Sequence, residues 1–315
     1  MTGDKIKFSV VVPFYNEEDN VKILHKELIS ALKGHEYELV YVNDGSTDST
    51  YSRLIKETED LKPPHAKIIN FTKNLGQSFA FKAGLDNTSF DTIVFIDGDL
   101  QNDPRDIPLL LEKFLEGYDL AQGIRARRKD PFFSKIVPSK IANLILRILC
   151  GSKFKDLGCS LKVFSKKITD RLFFYKGFHR LLPVYFSLKG AKVTEVKVNH
   201  RSRKSGKSKY GFSRTIEVLF EVIKINFFEK GSNNFIYITI GVGMTLVILS
   251  FLVGFNFIKY INLYSFMALL SFVLGLYLFV IASSLYIIRS FYSYYQKYKE
   301  FDAYLLSVVN YSQNP

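Results

Sequence analysis

The hydrophobic pattern of the chain changes character twice. Over the first hundred residues, short continuous apolar runs alternate with segments of helical periodicity. Phe8–Val12 is an unbroken β-branched and aromatic run, as expected of a strand covered on both faces. Glu17–Leu32 then repeats apolar residues at Val21, Leu24, Leu28, Ile29 and Leu32, one face of a helix. The same alternation predicts strands at Leu39–Val42, Lys67–Phe71 and Thr92–Ile96, and helices at Asp48–Glu57 and Gly76–Leu85. A βαβαβαβ order predicts an open α/β, Rossmann-like fold with a mainly parallel sheet and helices on both faces. Four polar segments follow the predicted strands: Pro13–Glu18, Asn43–Asp48, Thr72–Gly76 and Asp97–Asp103. All fall at carboxyl ends, where open α/β sheets bind ligands.

The second change lies near residue 235. Phe235–Ile258 has no charge, and neither does Tyr260–Ile288. About 20 apolar residues suffice to cross a bilayer, so both runs read as transmembrane helices joined around Lys259–Ser265; the competing reading is a buried helical hairpin. Lys224, Lys230, Arg289, Lys297 and Lys299 flank the outer ends, while the loop carries only Lys259. The positive-inside rule then puts the whole first 230 residues and both termini in the cytoplasm. Met1–Lys7 is too polar and short for a secretory signal. Thr215–Phe228 places Ile216, Leu219, Phe220, Ile223 and Phe227 on one helical face, which suits either an interfacial helix or core packing. The expected divisions are 1–212, 213–234, 235–288 and a cytoplasmic tail, 289–315, with self-association of the two-span protein an open expectation.

Charge narrows the partners. The net charge is +13, concentrated in Arg125–Lys155 and Lys189–Arg214, each holding nine basic residues against one acid. No base-stacking or groove-reading element accompanies them, so no nucleic acid is expected. Anionic lipid and phosphate-bearing substrates fit a chain with its own membrane anchor. Cys150 and Cys159 lack metal-site spacing and read as packing residues in a reducing compartment.

The segment "FIDGDLQNDP" masses Asp97, Asp99 and Gln101 after the fourth strand. Two converging carboxylates repel each other but make good hard ligands, and Mg²⁺ or Mn²⁺ would join them to a nucleotide diphosphate. No phosphate-binding glycine loop of the P-loop or dinucleotide type follows the first strand.

"VVVPFYNEEDNV", "VNDGSTDST", "KNLGQSFAFKAGL" and "DGDLQNDP", in this order, resemble glycosyltransferase family 2 with its GT-A fold, over roughly the first 230 residues. "DLGCSLKVFSKKITD" and "HRSRKSGKSKYGF", followed by two apolar runs, narrow the resemblance to the polyprenyl-phosphate glycosyltransferases, the group of dolichol-phosphate mannosyltransferase and the undecaprenyl-phosphate sugar transferases. Within that group the Asp-x-Gly-Cys form is most like the branch transferring an aminoarabinose derivative. The resemblance implies a nucleotide-sugar donor, UDP in preference to GDP, and an undecaprenyl or dolichyl phosphate acceptor. Pro13, Tyr15, Glu17, Asp44 and Asp97 would hold the nucleotide sugar; Asp97, Asp99 and Gln101 would hold the metal. Asp48 and Asp103-Pro104 read instead as helix starts. Asp156 would serve the reacting centre with Asp99, either as a base or by orienting the acceptor. Arg125, Lys140, Arg201 and Arg203 would bind the acceptor phosphate. Direct in-line attack would invert the anomeric carbon. A processive polysaccharide synthase is disfavoured because the chain has no tryptophan. An anchored transferase with another acceptor, or a non-catalytic sugar-nucleotide-binding scaffold, is the alternative.

Overall fold

The computed structural model describes residues 6–125, 154–169, 177–201 and 305–312, with isolated positions between 245 and 292. Two compact units emerge, Met1–Val222 together with Glu300–Pro315, and Ile223–Lys299. The predicted spans lie almost wholly outside the described residues, as do the segment Thr215–Phe228, Lys140, Cys150 and Arg203. Among the described residues no helix is long and apolar enough to cross a membrane.

The first unit is built on one eight-stranded sheet. Its early elements are β1 (Lys7–Phe14), α1 (Glu18–Ala31), β2 (Glu36–Asn43), α2 (Thr50–Leu61), β3 (His65–Phe71), α3 (Gln77–Asp86) and β4 (Thr92–Phe95). The sequence expectation thus holds element by element, with β1 and β2 running on to Phe14 and Asn43. A short 3₁₀ turn (Pro104–Asp106) leads into α4 (Ile107–Leu115). Then come β5 (Leu120–Arg125), β6 (Lys162–Ser165), α5 (Phe178–Leu188), β7 (Val193–Val198) and β8 (Leu305–Ser312). The strand order is β7-β5-β6-β4-β1-β2-β3-β8. β1 pairs in parallel with β2 and β4, and β2 with β3, so the first four strands form the parallel heart. Beyond β4 the sheet becomes mixed, because β6 runs antiparallel to both β4 and β5.

One feature departs from the expected organisation. The tail does not stand apart: β8 pairs antiparallel with β3 from His65↔Ser312 to Phe71↔Leu305 and closes that edge. Ser307, Val309 and Tyr311 alternate inward while Val308 and Asn310 face out. Tyr311 packs on the core beside Tyr51 of α2.

The core also holds a buried histidine. His25 of α1 meets the Tyr41 hydroxyl of β2 through Nδ1 at 2.7 Å, and its Nε2 has no hydrogen-bond partner. Burial lowers its pKa from 6.5 to about 4. The unfolded chain therefore takes up a proton near pH 6.5 and the native chain only near 4, so stability falls as pH drops through that window, by up to about 3 kcal/mol. In urea melts from pH 7 to 4.5, His25→Gln is expected to show a shallower loss of stability than the wild type. Equal slopes would remove His25 from the acid response.

Candidate active site

The ends of the parallel strands meet in one cleft. β1 supplies Pro13, Tyr15 and Glu17; β2 supplies Asp44; the segment after β3 supplies Asn74 and Gly76; β4 leads to Asp97 and Asp99. The first two loops are stitched together. Asn16, held at φ +52°, accepts the Thr47 N–H at 2.8 Å, and the Glu17 N–H donates to Thr50 Oγ1 at 3.0 Å. Asp48 accepts the Thr50 N–H at 3.0 Å, at the start of the next helix as the sequence suggested, and also the Glu18 N–H at 3.3 Å at the start of α1.

Asp44 holds the third loop. Its buried carboxylate accepts the N–H groups of Leu75 (2.8 Å) and Gly76 (3.0 Å) and the Asn74 amide (3.0 Å). The loop can approach this closely only because residue 45 is glycine, at φ +62°; a Cβ there would lie 2.2 Å from the Lys73 carbonyl carbon. Gly98 serves the same end between the two aspartates, where a Cβ would lie 2.6 Å from the Phe14 ring.

Asp97 is enclosed. The Gln77 amide and the Ser160 hydroxyl donate to it, and Lys162 and Arg180 lie close enough to act on its charge. Burial, and then the negative charge of Asp99, nevertheless push its pKa up to about 6. Asp99 accepts the Gln101 N–H at 3.1 Å across a turn whose Leu100 sits at φ +61°, a left-handed conformation costing about 1 kcal/mol. Asp103 starts the next helix by accepting the Arg105 N–H at 3.1 Å.

Asp156, 5% exposed, lies at the end of β5. Arg125 grips it through Nε at 2.7 Å and Nη2 at 2.6 Å, and donates its own N–H at 3.2 Å. A carboxylate in such a fork is held in its ionised, acceptor-only form. Lys162 of β6, 2% exposed, donates to the Cys159 carbonyl. Burial lowers its pKa to about 8, against the opposing fields of Cys159, Asp97 and Asp156. Cys159 is buried, its thiol pushed up to about 11 by burial, which fits the packing role expected of it.

Residues 9–173 match the family model described as glycosyl transferase family 2. The chain belongs to this family. Over 265 residues it is 34% identical to the dodecaprenyl-phosphate galacturonate synthase of Rhizobium johnstonii (strain DSM 114642 / LMG 32736 / 3841), covering 81% of this chain and 78% of that protein. Among solved structures it resembles glucosyl-3-phosphoglycerate synthase from Mycobacterium tuberculosis. The complex of that enzyme with Mn²⁺, UDP and phosphoglyceric acid is 22% identical, with a TM-score of 0.55, covering 69% of this chain and 78% of that one. Its complex with Mn²⁺ and UDP-glucose is 24% identical at TM-score 0.54, with the same coverages, 69% and 78%. These likenesses show the GT-A fold.

In this family 2 enzyme the predicted donor residues converge: Pro13, Tyr15, Glu17, Asp44, Asp97 and Asp99 line one cleft. Gln101 lies on the same turn but outside the cleft lining. No group of three or more His, Cys, Asp or Glu side chains that could hold a metal occurs among the described residues. The donor set nevertheless fits Mg²⁺ or Mn²⁺. Two carboxylates whose mutual repulsion raises a pKa are what a divalent cation relieves, and substrate phosphates and water complete such sites.

Two cations expected on the acceptor phosphate are engaged elsewhere. Arg125 is committed to Asp156, and Arg201 pairs with Asp103 and Glu27 at 2.7 and 2.8 Å. Sequence reading missed Gln77, Ser160, Lys162 and Arg180. The one available signal was Lys162 interrupting the apolar run Leu161–Phe164 within a motif already singled out.

Proposed function

We propose that this enzyme transfers one sugar, with inversion, from a nucleoside diphosphate sugar (UDP in preference to GDP) to polyprenyl phosphate at the cytoplasmic face of a membrane. The observation that carries this reading is the 34% identity, along most of both chains, to a protein named for making a polyprenyl-phosphate sugar. The half-buried Asp97–Asp99 pair in the family 2 cleft agrees with it.

In this reading Tyr15 and Glu17 border the base and ribose, and Asp44 shapes the nucleotide site by fixing residues 74–76. Asp97 and Asp99, with Gln101, would hold Mg²⁺ or Mn²⁺, which when bound stabilises the charge on the departing diphosphate. A bond forms between a phosphate oxygen of the acceptor and the anomeric carbon as the bond to the donor phosphate breaks. The attacking oxygen is already anionic, so no strong base is needed. The Arg125 fork on Asp156 therefore favours an orienting role for that carboxylate over a basic one.

Membrane attachment is supported by the two charge-free runs and by the course of the chain. Residues 223–299 leave the catalytic unit and return to it, since β8 belongs to its sheet. A segment that starts and ends on one side crosses a bilayer an even number of times, which agrees with two spans and both termini in the cytoplasm.

Purified protein in lipid, given Mn²⁺, undecaprenyl phosphate and labelled nucleotide sugars including UDP-galacturonic acid, UDP-glucose and GDP-mannose, is expected to form labelled lipid with one donor. Label appearing only on a water-soluble acceptor would overturn the lipid assignment.

A further inference from the structure

Arg201 emerges from β7 and is fixed at three levels. Its N–H donates to the Gln101 carbonyl at 2.8 Å. Its neighbour His200 forms an antiparallel bridge with Asn102. Its guanidinium meets both Glu27 oxygens of α1 at 2.9 and 2.8 Å through Nη1, and Asp103 at 2.7 Å through Nη2. Asp103 is buried and is also held by Arg105, through Nε at 3.0 Å and Nη2 at 2.6 Å. Burial would raise the Asp103 pKa, but hydrogen bonds from Arg105 and Arg201 outweigh it and keep the carboxylate well below the usual range.

The turn from Asp99 to Asp103 is thus fastened at its far end to α1 and along its backbone to residues 200 and 201. It needs such support. Leu100 is in a left-handed conformation, and local strain of this kind persists only where the surroundings impose it. A phosphate approaching Arg201 would meet two carboxylates already at hydrogen-bond distance from its guanidinium.

We propose that Arg201 is a positioning residue: through Glu27 and Asp103 it holds the Asp99–Asp103 turn in the conformation that presents Asp99 and Gln101, and it is not a ligand of the acceptor phosphate. The catalytic consequence rests on the proposed metal role of Asp99 and Gln101. The mechanical claim does not.

Arg201→Gln and Glu27→Gln in the full chain in lipid separate the two. Glu27→Gln keeps the size of the side chain and weakens the grip without altering any group assigned to phosphate. Both variants are expected to speed hydrogen exchange of residues 97–103 at least tenfold. Both should weaken Mn²⁺-dependent UDP binding at least fivefold while KM for undecaprenyl phosphate stays within twofold. Arg201→Lys, able to reach one carboxylate at a time, should recover part of each loss. Unchanged exchange in both glutamine variants overturns the proposal, whatever the binding. So does a tenfold rise in KM for undecaprenyl phosphate in Arg201→Gln with Glu27→Gln behaving as wild type. Faster exchange in both variants, in a protein whose wild type shows no Mn²⁺-dependent UDP binding, supports the pin and refutes the metal reading instead.

Discussion

Asp99→Asn is expected to cut sugar transfer by roughly 10³-fold, the scale of losing a principal electrostatic stabiliser of a leaving group. The change is nearly isosteric. Its amide oxygen can still accept the Gln101 N–H that closes the turn, so the fold should survive. The lost quantity is a negative charge close enough to Asp97 to act on its ionisation. The loss should appear in turnover and in the Mn²⁺ concentration needed for half-maximal rate. A thermal shift on adding Mn²⁺ and UDP, present in wild type, should vanish. More than a tenth of wild-type activity in Asp99→Asn would show that the carboxylate is not central to catalysis.

Ending the chain at Tyr304 should produce the largest stability loss. The truncation removes β8 and leaves the outer edge of β3 unpaired from His65 to Phe71, with only its β2 side still bonded. It also uncovers the surface on which Val309 and Tyr311 are half-buried beside Tyr51. Two large side chains at partial burial stabilise by about 2–4 kcal/mol. For a unit of this size that corresponds to a melting temperature lower by on the order of 10 °C. An open, apolar edge also invites pairing with other chains. Val309→Asp, which keeps the length of the strand, should give a smaller shift in the same direction. A truncated protein melting within a degree or two of wild type would mean that β8 adds nothing to the sheet.

The legibility of the chain follows its sequence separation. β1 to β4 are continuous apolar runs closed by polar loops, and each meets strands whose helices lie between them in sequence, so a local pattern sufficed. The donor side of the cleft was legible for the same reason, because parallel strands deliver their ends to one edge. The acceptor side was not. Arg125 and Asp156 were read separately as a phosphate ligand and a reactive group, and only the fold reveals that they are joined. Arg201 was read as a phosphate-binding cation, and its pairing with Glu27 and Asp103 is visible only in the fold. Lys162 was overlooked because lysines are assumed to be solvated, and a buried one is identified by its neighbours rather than by its run. The tail was unreadable because β8 acquires its meaning from β3, about 230 residues earlier.

That separation sets an order of events during biosynthesis. β8 is made after every other described element of the sheet, and at roughly 5–20 residues per second the ribosome needs on the order of 10–50 s to reach it after finishing β3. Throughout that interval, which includes synthesis of both charge-free runs, the nascent sheet ends on an unprotected strand. The catalytic unit can therefore complete its sheet only after everything between residues 223 and 299 has been made. Maturation of the active domain thus waits on a strand made long after the rest of its sheet, and a ribosome that stalls or terminates before residue 305 leaves a transferase with its binding loops in place and its sheet unfinished.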